Sequence, residues 1–203
     1  MADHSFPTIE ATLKQTVAAL RDAGVPFLLG GSLASWARGG PETRKDLDFM
    51  LKREDAERAL EVLSEAGMRP ERPPEEWLFK AWDGDVCVDL IYEPRGLEID
   101  DDALARGEEL HVLGITMPVL SVEDLMTTKL MALGEHALDY TSVLQIARAL
   151  REQIDWTSVR ERTAHSPHAR GFLCLLEELG VIAHAAPADR GVHHARVRVV
   201  EGD

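Results

Sequence analysis

The feature that most constrains the fold is a pair of β-prone runs, residues 77–82 and 85–92, separated by Asp83-Gly84. An Asp-Gly pair between two such runs predicts a tight antiparallel hairpin. Trp77 and Trp82 alternate with apolar residues on this hairpin, so we expect them to pack in the core or at the sheet edge rather than to stack on bases. The segment therefore requires a β-sheet near the centre of the chain.

Three aspartates interrupt segments that otherwise have the pattern of strands. Asp46 and Asp48 lie two residues apart in a run that alternates polar and apolar residues, so both point to one face of a strand, about 6.5–7 Å apart at the backbone. Asp89 interrupts an apolar run at residues 86–91, where a solvated strand end or an arginine partner is the alternative explanation. Because carboxylates on a buried face repel one another, the set predicts a site for a divalent cation.

A glycine turn and a lysine are candidates for phosphate binding. Gly30-Gly31-Ser32 lies between a short buried strand and a short helix, where two glycines let the backbone approach a phosphate. The Ser32 hydroxyl is a further donor, although an ordinary helix-capping serine gives the same pattern. Lys129 falls on the apolar stripe of a helix that begins at Ser121, so it either extends to solvent or faces a polar cleft.

The composition limits the partners and the location of the chain. Its 203 residues include 22 Lys and Arg against 36 Asp and Glu, a formal net charge of −14, which excludes a general nucleic-acid coat. No apolar run approaches the roughly 20 residues of a membrane span. The N-terminus lacks the basic and apolar regions of a secretory signal, and Cys87 and Cys174 have no paired ligand spacing. We therefore expect a cytoplasmic protein without a membrane partner.

The chain changes character near residue 120. Strand and helix signals alternate before that point, and helical signals dominate after it. We expect an α/β catalytic domain over residues 1–119, a helical domain over residues 120–185 and a tail over residues 186–203.

The order of these elements resembles the nucleotidyltransferase superfamily, in which a strand, Gly-Gly-Ser, a short helix and Asp-Leu-Asp on a strand follow one another. Asp89 matches the third aspartate that completes the metal site of that superfamily. The stretch at residues 119–133 is similar to the corresponding helix of AbiEii-type nucleotidyltransferase toxins, whose functional lysine and later aspartate match Lys129 and Asp139. Arg44 stands where these toxins tend to have Thr or Ser.

The resemblance implies an α+β fold, with a polymerase-β-like mixed sheet, flanking helices and a small helical C-terminal part. It implies transfer of a nucleoside monophosphate from a nucleoside triphosphate (NTP) to a hydroxyl group, with release of pyrophosphate. Two Mg²⁺ ions would be bound by Asp46, Asp48 and Asp89. The implied catalytic residues are Asp46, Asp48, Asp89 and Lys129, and the implied nucleotide-binding residues are Gly30, Gly31, Ser32, Arg44, Lys129 and Asp139.

One further lysine lies on the hairpin. If Asp83-Gly84 forms the loop, Lys80 lies opposite Cys87 and on the same face as Asp89. That position makes Lys80 a weaker candidate for a second phosphate contact.

Three functions stay open at this stage. The first is a toxin that modifies the 3′ end of a tRNA and has a cognate antitoxin, with local positive charge from Arg38, Arg44, Lys45, Lys52 and Arg53. The second is transfer to an aminoglycoside or lincosamide antibiotic, with acidic residues 98–102 and Glu108-Glu109 lining a cleft for a cationic acceptor. The third is an inactive binding module, which is disfavoured because such a module has little reason to retain three carboxylates that repel one another.

Overall fold

The computed structural model describes residues 6–43, 46–135 and 137–184, apart from the side chain of Phe6. The described chain contains a mixed sheet of seven strands. These strands are β1 (Leu28–Leu29), β2 (Leu47–Met50), β3 (Arg69–Glu71), β4 (Leu78–Asp83), β5 (Val86–Ile91), β6 (Glu108–Val112) and β7 (Ile115–Val119). Their order is β3-β4-β5-β2-β1-β7-β6, with β2 parallel to β5, β1 parallel to β7 and the other neighbours antiparallel.

Helices flank this sheet and make up the C-terminal part of the described chain. They are α1 (Phe6–Asp22), α2 (Gly31–Ala37), α3 (Ala56–Glu65), α4 (Asp101–Ala105), α5 (Val122–Met131), α6 (Tyr140–Leu150), α7 (Trp156–Arg162) and α8 (Pro167–Glu178), with a 3₁₀ turn at Arg53–Asp55. The predicted α+β class, a mixed sheet with flanking helices and a helical C-terminal part, is confirmed. Within the described ranges, every helix is too short or too polar to cross a bilayer.

The predicted hairpin is present, but its loop is Gly84-Asp85 rather than Asp83-Gly84. Asp83 stays in β4, where its carboxylate accepts a hydrogen bond from Thr12 Oγ1 at 2.6 Å. Gly84 therefore takes the first loop position, with a φ of +57° that favours glycine. As a result Lys80 lies opposite Asp89, not opposite Cys87. Moving the loop by one residue shifts each cross-strand partner by two positions, so every side chain keeps its predicted face.

The two faces of the central strands differ because side chains alternate along a strand. One face is apolar and packs with α1 and α3 in a core that includes Leu13, Phe49, Leu63, Val88 and Leu90. The opposite face of β2 and β5 carries the aspartates. The register pairs Asp48 with Asp89 and Met50 with Ile91, so the polar pair is followed by an apolar pair toward the carboxyl ends of both strands.

A second apolar cluster lies in the helical part and is built mainly from α5, α6, α7 and α8. Helix α5 connects it to the first cluster, since Leu125 packs with the sheet core and Met126 with the helices. The fully buried Asp124 of α5 forms ion pairs with Arg106 and Arg162. The domain boundary after residue 119 stays a prediction, and the predicted tail lies outside the described residues.

Candidate active site

The three predicted aspartates converge on the sheet face that is opposite the core. Asp48 and Asp89 are direct register partners on β2 and β5, and Asp46 immediately precedes β2. Ligand atoms of Asp46, Cys87 and Asp89 all lie within 4.8 Å of one another. The structure thus brings Asp46 and Asp89 together, places Asp48 next to them, and adds a cysteine to the group.

Cys87 was not predicted as part of the site, because the two cysteines have no paired ligand spacing in the sequence. Its position two residues before Asp89 on one strand was the available signal, since residues at i and i+2 share a face. The thiol lies 3.3 Å from Asp89 Oδ1, to which it donates a hydrogen bond. Burial raises the pKa of the Cys87 thiol, and the charge of Asp89 raises it further. Cys87 is therefore a neutral thiol in this structure.

Asp48 is the aspartate most affected by its surroundings. Burial raises the pKa of Asp48 to about 6, and the charges of Asp89 and Asp46 act in the same direction. The positive charge of Lys129 opposes this rise. The negative charge of Asp48 is therefore unfavourable in the folded protein, and a bound cation would stabilise it.

Gly31 is held against Asp48 at the start of α2. A Cβ atom at position 31 would lie 1.6 Å from Asp48 Oδ2, and the φ of Gly31 is +62°, so both space and backbone conformation require glycine. Gly30 is also restricted, because a Cβ there would lie 2.6 Å from Met50 Cε. The Gly30 N–H donates to the backbone oxygen of Asp48 at 2.8 Å, which fixes the turn to β2. Ser32 Oγ accepts a hydrogen bond from Thr43 Oγ1 at 2.9 Å.

Two lysines lie beside the carboxylates. Lys129, on α5, lines a cavity together with Asp48. Lys80, on β4, places its Nζ 2.6 Å from Asp89 Oδ1 and 3.8 Å from Cys87 Sγ. Burial alone would lower the pKa of Lys80, but the hydrogen bond and the charge of Asp89 raise it on balance. Lys80 is therefore a cation paired with Asp89.

Two further residues, Asp139 and Arg44, were predicted to bind the nucleotide. Asp139 is exposed and caps α6, where its carboxylate accepts the N–H of Thr141 at 2.9 Å. It is not among the described residues that line the cavity. Its part in nucleotide binding stays a prediction. Arg44 lies outside the described residues.

The cavity beside Asp48 has a volume of about 470 Å³. Gly31, Asp48 and Lys129 form its polar end. The remaining lining is Met50, Trp77, Ile91, Glu93, Pro94, Arg95, Thr128, Ala132 and Ala137. Trp77 does not pack in the core as expected, because it is 42% exposed and forms part of this wall. Trp82 is half-buried, and its indole N–H donates to Glu71 at 2.8 Å.

The predicted patch of positive charge is neutralised in the described part of the chain. Its described members each form an ion pair with a carboxylate: Arg38 with Glu108, Lys52 with Asp101, and Arg53 with Glu93. The Arg38 side chain is also only 4% exposed. Arg44 and Lys45, the other two members, lie outside the described residues. The expectation of local positive charge beside the site is therefore wrong for the three members that the structure describes.

The acidic residues proposed to line one cleft are divided between different places. Glu98, Asp100 and Asp101 line a second cavity of about 570 Å³, which shares Glu93 and Pro94 with the first. The Glu108-Glu109 pair lies instead on the edge strand β6. The expectation of a single cleft was wrong because strand order separates the two segments.

Comparison with known proteins gives one family and several structures. The family model described as "Uncharacterised nucleotidyltransferase" matches residues 8–179. ANT(2")-Ia in complex with adenylyl-2"-tobramycin is 17% identical with a TM-score of 0.60, covering 81% of this chain and 98% of that one. The lincomycin-bound lincosamide antibiotic adenylyltransferase LnuA is 13% identical to this chain, with a TM-score of 0.51. The match covers 75% of this chain and 100% of the LnuA chain. A putative nucleotidyltransferase from Thermotoga maritima is 20% identical to this chain, with a TM-score of 0.51. The match covers 63% of this chain and 86% of the Thermotoga protein.

The structural similarities show a shared fold, which confirms the predicted nucleotidyltransferase-like architecture. No curated protein sequence matches the chain. The more specific similarity to AbiEii-type toxins stays a prediction. Because the family match extends over most of the sequence, the predicted superfamily and enzyme class are confirmed: the chain belongs to this nucleotidyltransferase family.

Proposed function

We propose that the protein transfers a nucleoside monophosphate from an NTP to a hydroxyl group of a small molecule, in a reaction that depends on Mg²⁺. The observation that carries this proposal is the pairing of Asp48 with Asp89 on the sheet face opposite the core, beside a cavity that Gly31 and Lys129 line. This arrangement supplies carboxylates for a cation and a close backbone approach for phosphate. The catalytic and nucleotide-binding roles of these residues are part of the proposal.

The donor set suits Mg²⁺, which prefers carboxylate oxygens. The pKa of Asp48 is raised because the positive charges of the protein do not offset burial and the neighbouring carboxylates. Asp46, Asp48 and Asp89 would hold the two Mg²⁺ ions that the sequence resemblance implies. When bound, these ions neutralise negative charge on the phosphoryl oxygens.

The side chains of the protein then have distinct roles. Gly31, without a Cβ, lets the backbone of α2 approach the triphosphate, and Lys129 balances its charge. The acceptor hydroxyl oxygen forms a bond to the α-phosphorus while the α–β phosphoanhydride bond breaks, so that pyrophosphate leaves. The hydroxyl proton passes to Asp89 or to solvent. Lys80 orients Asp89 through their hydrogen bond of 2.6 Å.

A small-molecule acceptor is favoured over tRNA by charge. The formal net charge of −14 opposes association with a polyanion. The described members of the proposed basic patch are paired with carboxylates and contribute little net positive charge. Two structures with this fold contain antibiotic groups: ANT(2")-Ia is in complex with adenylyl-2"-tobramycin, and LnuA is bound to lincomycin. The tRNA, toxin and antitoxin roles and the cytoplasmic location stay predictions.

The test is incubation of the full-length protein with Mg²⁺ and each α-³²P-labelled NTP, together with aminoglycosides, lincosamides or total tRNA. We expect label to move into a small molecule with release of pyrophosphate, and Asp89→Asn to prevent the transfer. Asp85→Asn, in the exposed hairpin loop, is the matched control and should leave transfer intact. Label in tRNA would contradict the proposed acceptor class. An absence of nucleotide binding as well as transfer would favour the inactive module.

A further inference from the structure

The cavity beside Asp48 is polar at one end and mainly apolar along the rest of its lining. Gly31, Asp48 and Lys129 form the polar end. Asp46 and Asp89, by contrast, are not among the described residues that line it. A triphosphate that contacts Gly31 and Lys129 therefore lies at the polar end of this cavity.

The apolar wall follows directly from the register of the sheet. Met50 and Ile91 are paired two residues beyond Asp48 and Asp89, on the same face and about 6.5–7 Å further along the strands. Trp77 comes next, and its backbone oxygen accepts the N–H groups of Tyr92 and Glu93 at 3.1 and 3.2 Å. These bonds fix the tryptophan backbone at the end of β5. Since Asp48, Met50, Ile91 and Trp77 all line one cavity, a molecule bound at Asp48 lies within the same cavity as the indole.

We infer that this cavity holds the nucleobase of the NTP, with Trp77 as its stacking platform. This inference rests on the proposed function. Trp77 is 42% exposed and is one of the residues that line this cavity. A volume of about 470 Å³ lies in the range of small-molecule sites, which are mostly apolar with a few polar groups that set orientation. In this cavity Gly31 and Lys129 bind the triphosphate, and the apolar wall contacts the base.

The wall has three other polar side chains: Arg95, which is exposed, and Thr128 and Glu93, which are engaged within the protein. The Thr128 hydroxyl donates to the backbone oxygen of Leu125 at 2.9 Å. Glu93 forms an ion pair with Arg53 at 2.5 Å. Stacking on the aromatic ring at position 77 is the contact that the test below isolates.

The test measures KM for the NTP in wild-type protein, Trp77→Ala and Trp77→Phe, together with inhibition by inorganic tripolyphosphate. Loss of a stacked base costs roughly 5- to 100-fold in affinity, so we expect a KM increase of that size in Trp77→Ala. Trp77→Phe should recover most of this loss. The inhibition constant of tripolyphosphate, which has no base, should change less than about twofold. Trp156→Phe, on α7, is the matched control and should leave both constants unchanged.

Intrinsic fluorescence gives a readout that does not require transfer. Titration with an NTP should quench tryptophan emission in wild-type protein and in Trp156→Phe, and the quench should be lost in Trp77→Phe. An unchanged KM in Trp77→Ala, or an equal weakening of NTP and tripolyphosphate, would overturn the stacking role. If wild-type protein transfers no nucleotide, the proposed function fails, and the fluorescence titration still decides whether Trp77 contacts a base.

Discussion

Asp48 and Asp89 are direct register partners on the parallel strands β2 and β5, on the sheet face that lies opposite the apolar core. Their proximity follows from strand alternation and register, because each strand places one aspartate at the same level of the sheet. Burial then makes the negative charge of Asp48 unfavourable, which raises its pKa to about 6.

Asp48→Asn should stabilise the metal-free protein at neutral pH while it abolishes transfer. Since the pKa of Asp48 is raised from 3.8 to about 6, the folded state holds this proton more tightly than the unfolded state. Wild-type stability should therefore fall as the pH rises from about 4 to about 6, and the loss is complete above that range. In EDTA at pH 7 the variant should be more stable by on the order of 1–3 kcal/mol, with a much smaller difference at pH 4.

Urea unfolding at both pH values measures this difference. Asp85→Asn, in the exposed hairpin loop, is the control and should not change the dependence of stability on pH. If Asp48→Asn lowers the free energy of unfolding equally at pH 4 and pH 7, the electrostatic cost assigned to Asp48 is wrong.

Gly31→Ala should remove activity and destabilise the fold. Any Cβ at this position meets Asp48 Oδ2 at 1.6 Å, and the residue has a φ of +62°. Gly39→Ala is the matched control, since Gly39 has a φ of +96° with no atom within 4 Å of an added Cβ. In both variants the left-handed backbone lowers the free energy of unfolding by about 1 kcal/mol or more. In Gly31→Ala the added Cβ also displaces Asp48, so this variant should lose more stability than Gly39→Ala. The displacement should also reduce transfer by more than about 100-fold.

Thermal or urea unfolding and NTP turnover of the two variants compare these effects. Equal stability losses together with full activity of Gly31→Ala would show that the turn does not constrain Asp48.

Lys80→Met should destabilise the protein, because it leaves the largely buried Asp89 without its ion-pair partner. The side chains of Lys80 and Asp89 are 25% and 14% exposed, so solvent screens the loss only in part. We expect a loss of on the order of 1–2 kcal/mol in EDTA, partly restored in the double variant Lys80→Met/Asp89→Asn. The exposed pair of Arg72 and Glu57 is the control, and Glu57→Gln should cost less than about 1 kcal/mol.

A double-mutant cycle from urea unfolding gives the coupling energy between Lys80 and Asp89. A coupling energy near zero would mean that the hydrogen bond does not hold Asp89 in solution.

The two cysteines should react at very different rates. Cys174 is exposed, whereas Cys87 is buried and its thiol pKa is raised by burial. Because the thiolate is the reactive form, iodoacetamide at pH 8 should label Cys174 in the folded protein and Cys87 only after unfolding. Mass spectrometry of proteolytic fragments assigns the label. Rapid labelling of Cys87 in the folded protein would contradict its buried position beside Asp89.

Local sequence patterns predicted the parts of the site that depend on strand periodicity. The shared face of Asp46 and Asp48 follows from a two-residue spacing, and the hairpin follows from turn chemistry. Its loop position was missed by one residue because Asp83 is retained in β4 by its contact with Thr12, which lies far away in sequence. The cysteine in the carboxylate group was missed although its spacing from Asp89 obeys the same periodicity.

Contacts between distant segments account for the remaining differences. The pairing of Arg38 with Glu108 and of Lys52 with Asp101 depends on how the chain folds back, so a cluster of basic residues along the sequence did not predict a basic surface. The exposure of Trp77 likewise depends on the cavity that α5 forms over the sheet. Hydrophobic patterning cannot show that a tryptophan at the end of a strand lines a cavity.

Thermal denaturation with and without Mg²⁺ and an NTP tests the central claim most directly, since a ligand that binds the folded state raises the Tm. At concentrations about 100 times the Kd, wild-type protein should gain about 5–10 °C, and Asp48→Asn and Asp89→Asn should gain almost nothing. An equal rise in the wild-type protein and both variants, or no rise in any of them, would contradict a metal-dependent nucleotide site at these paired aspartates.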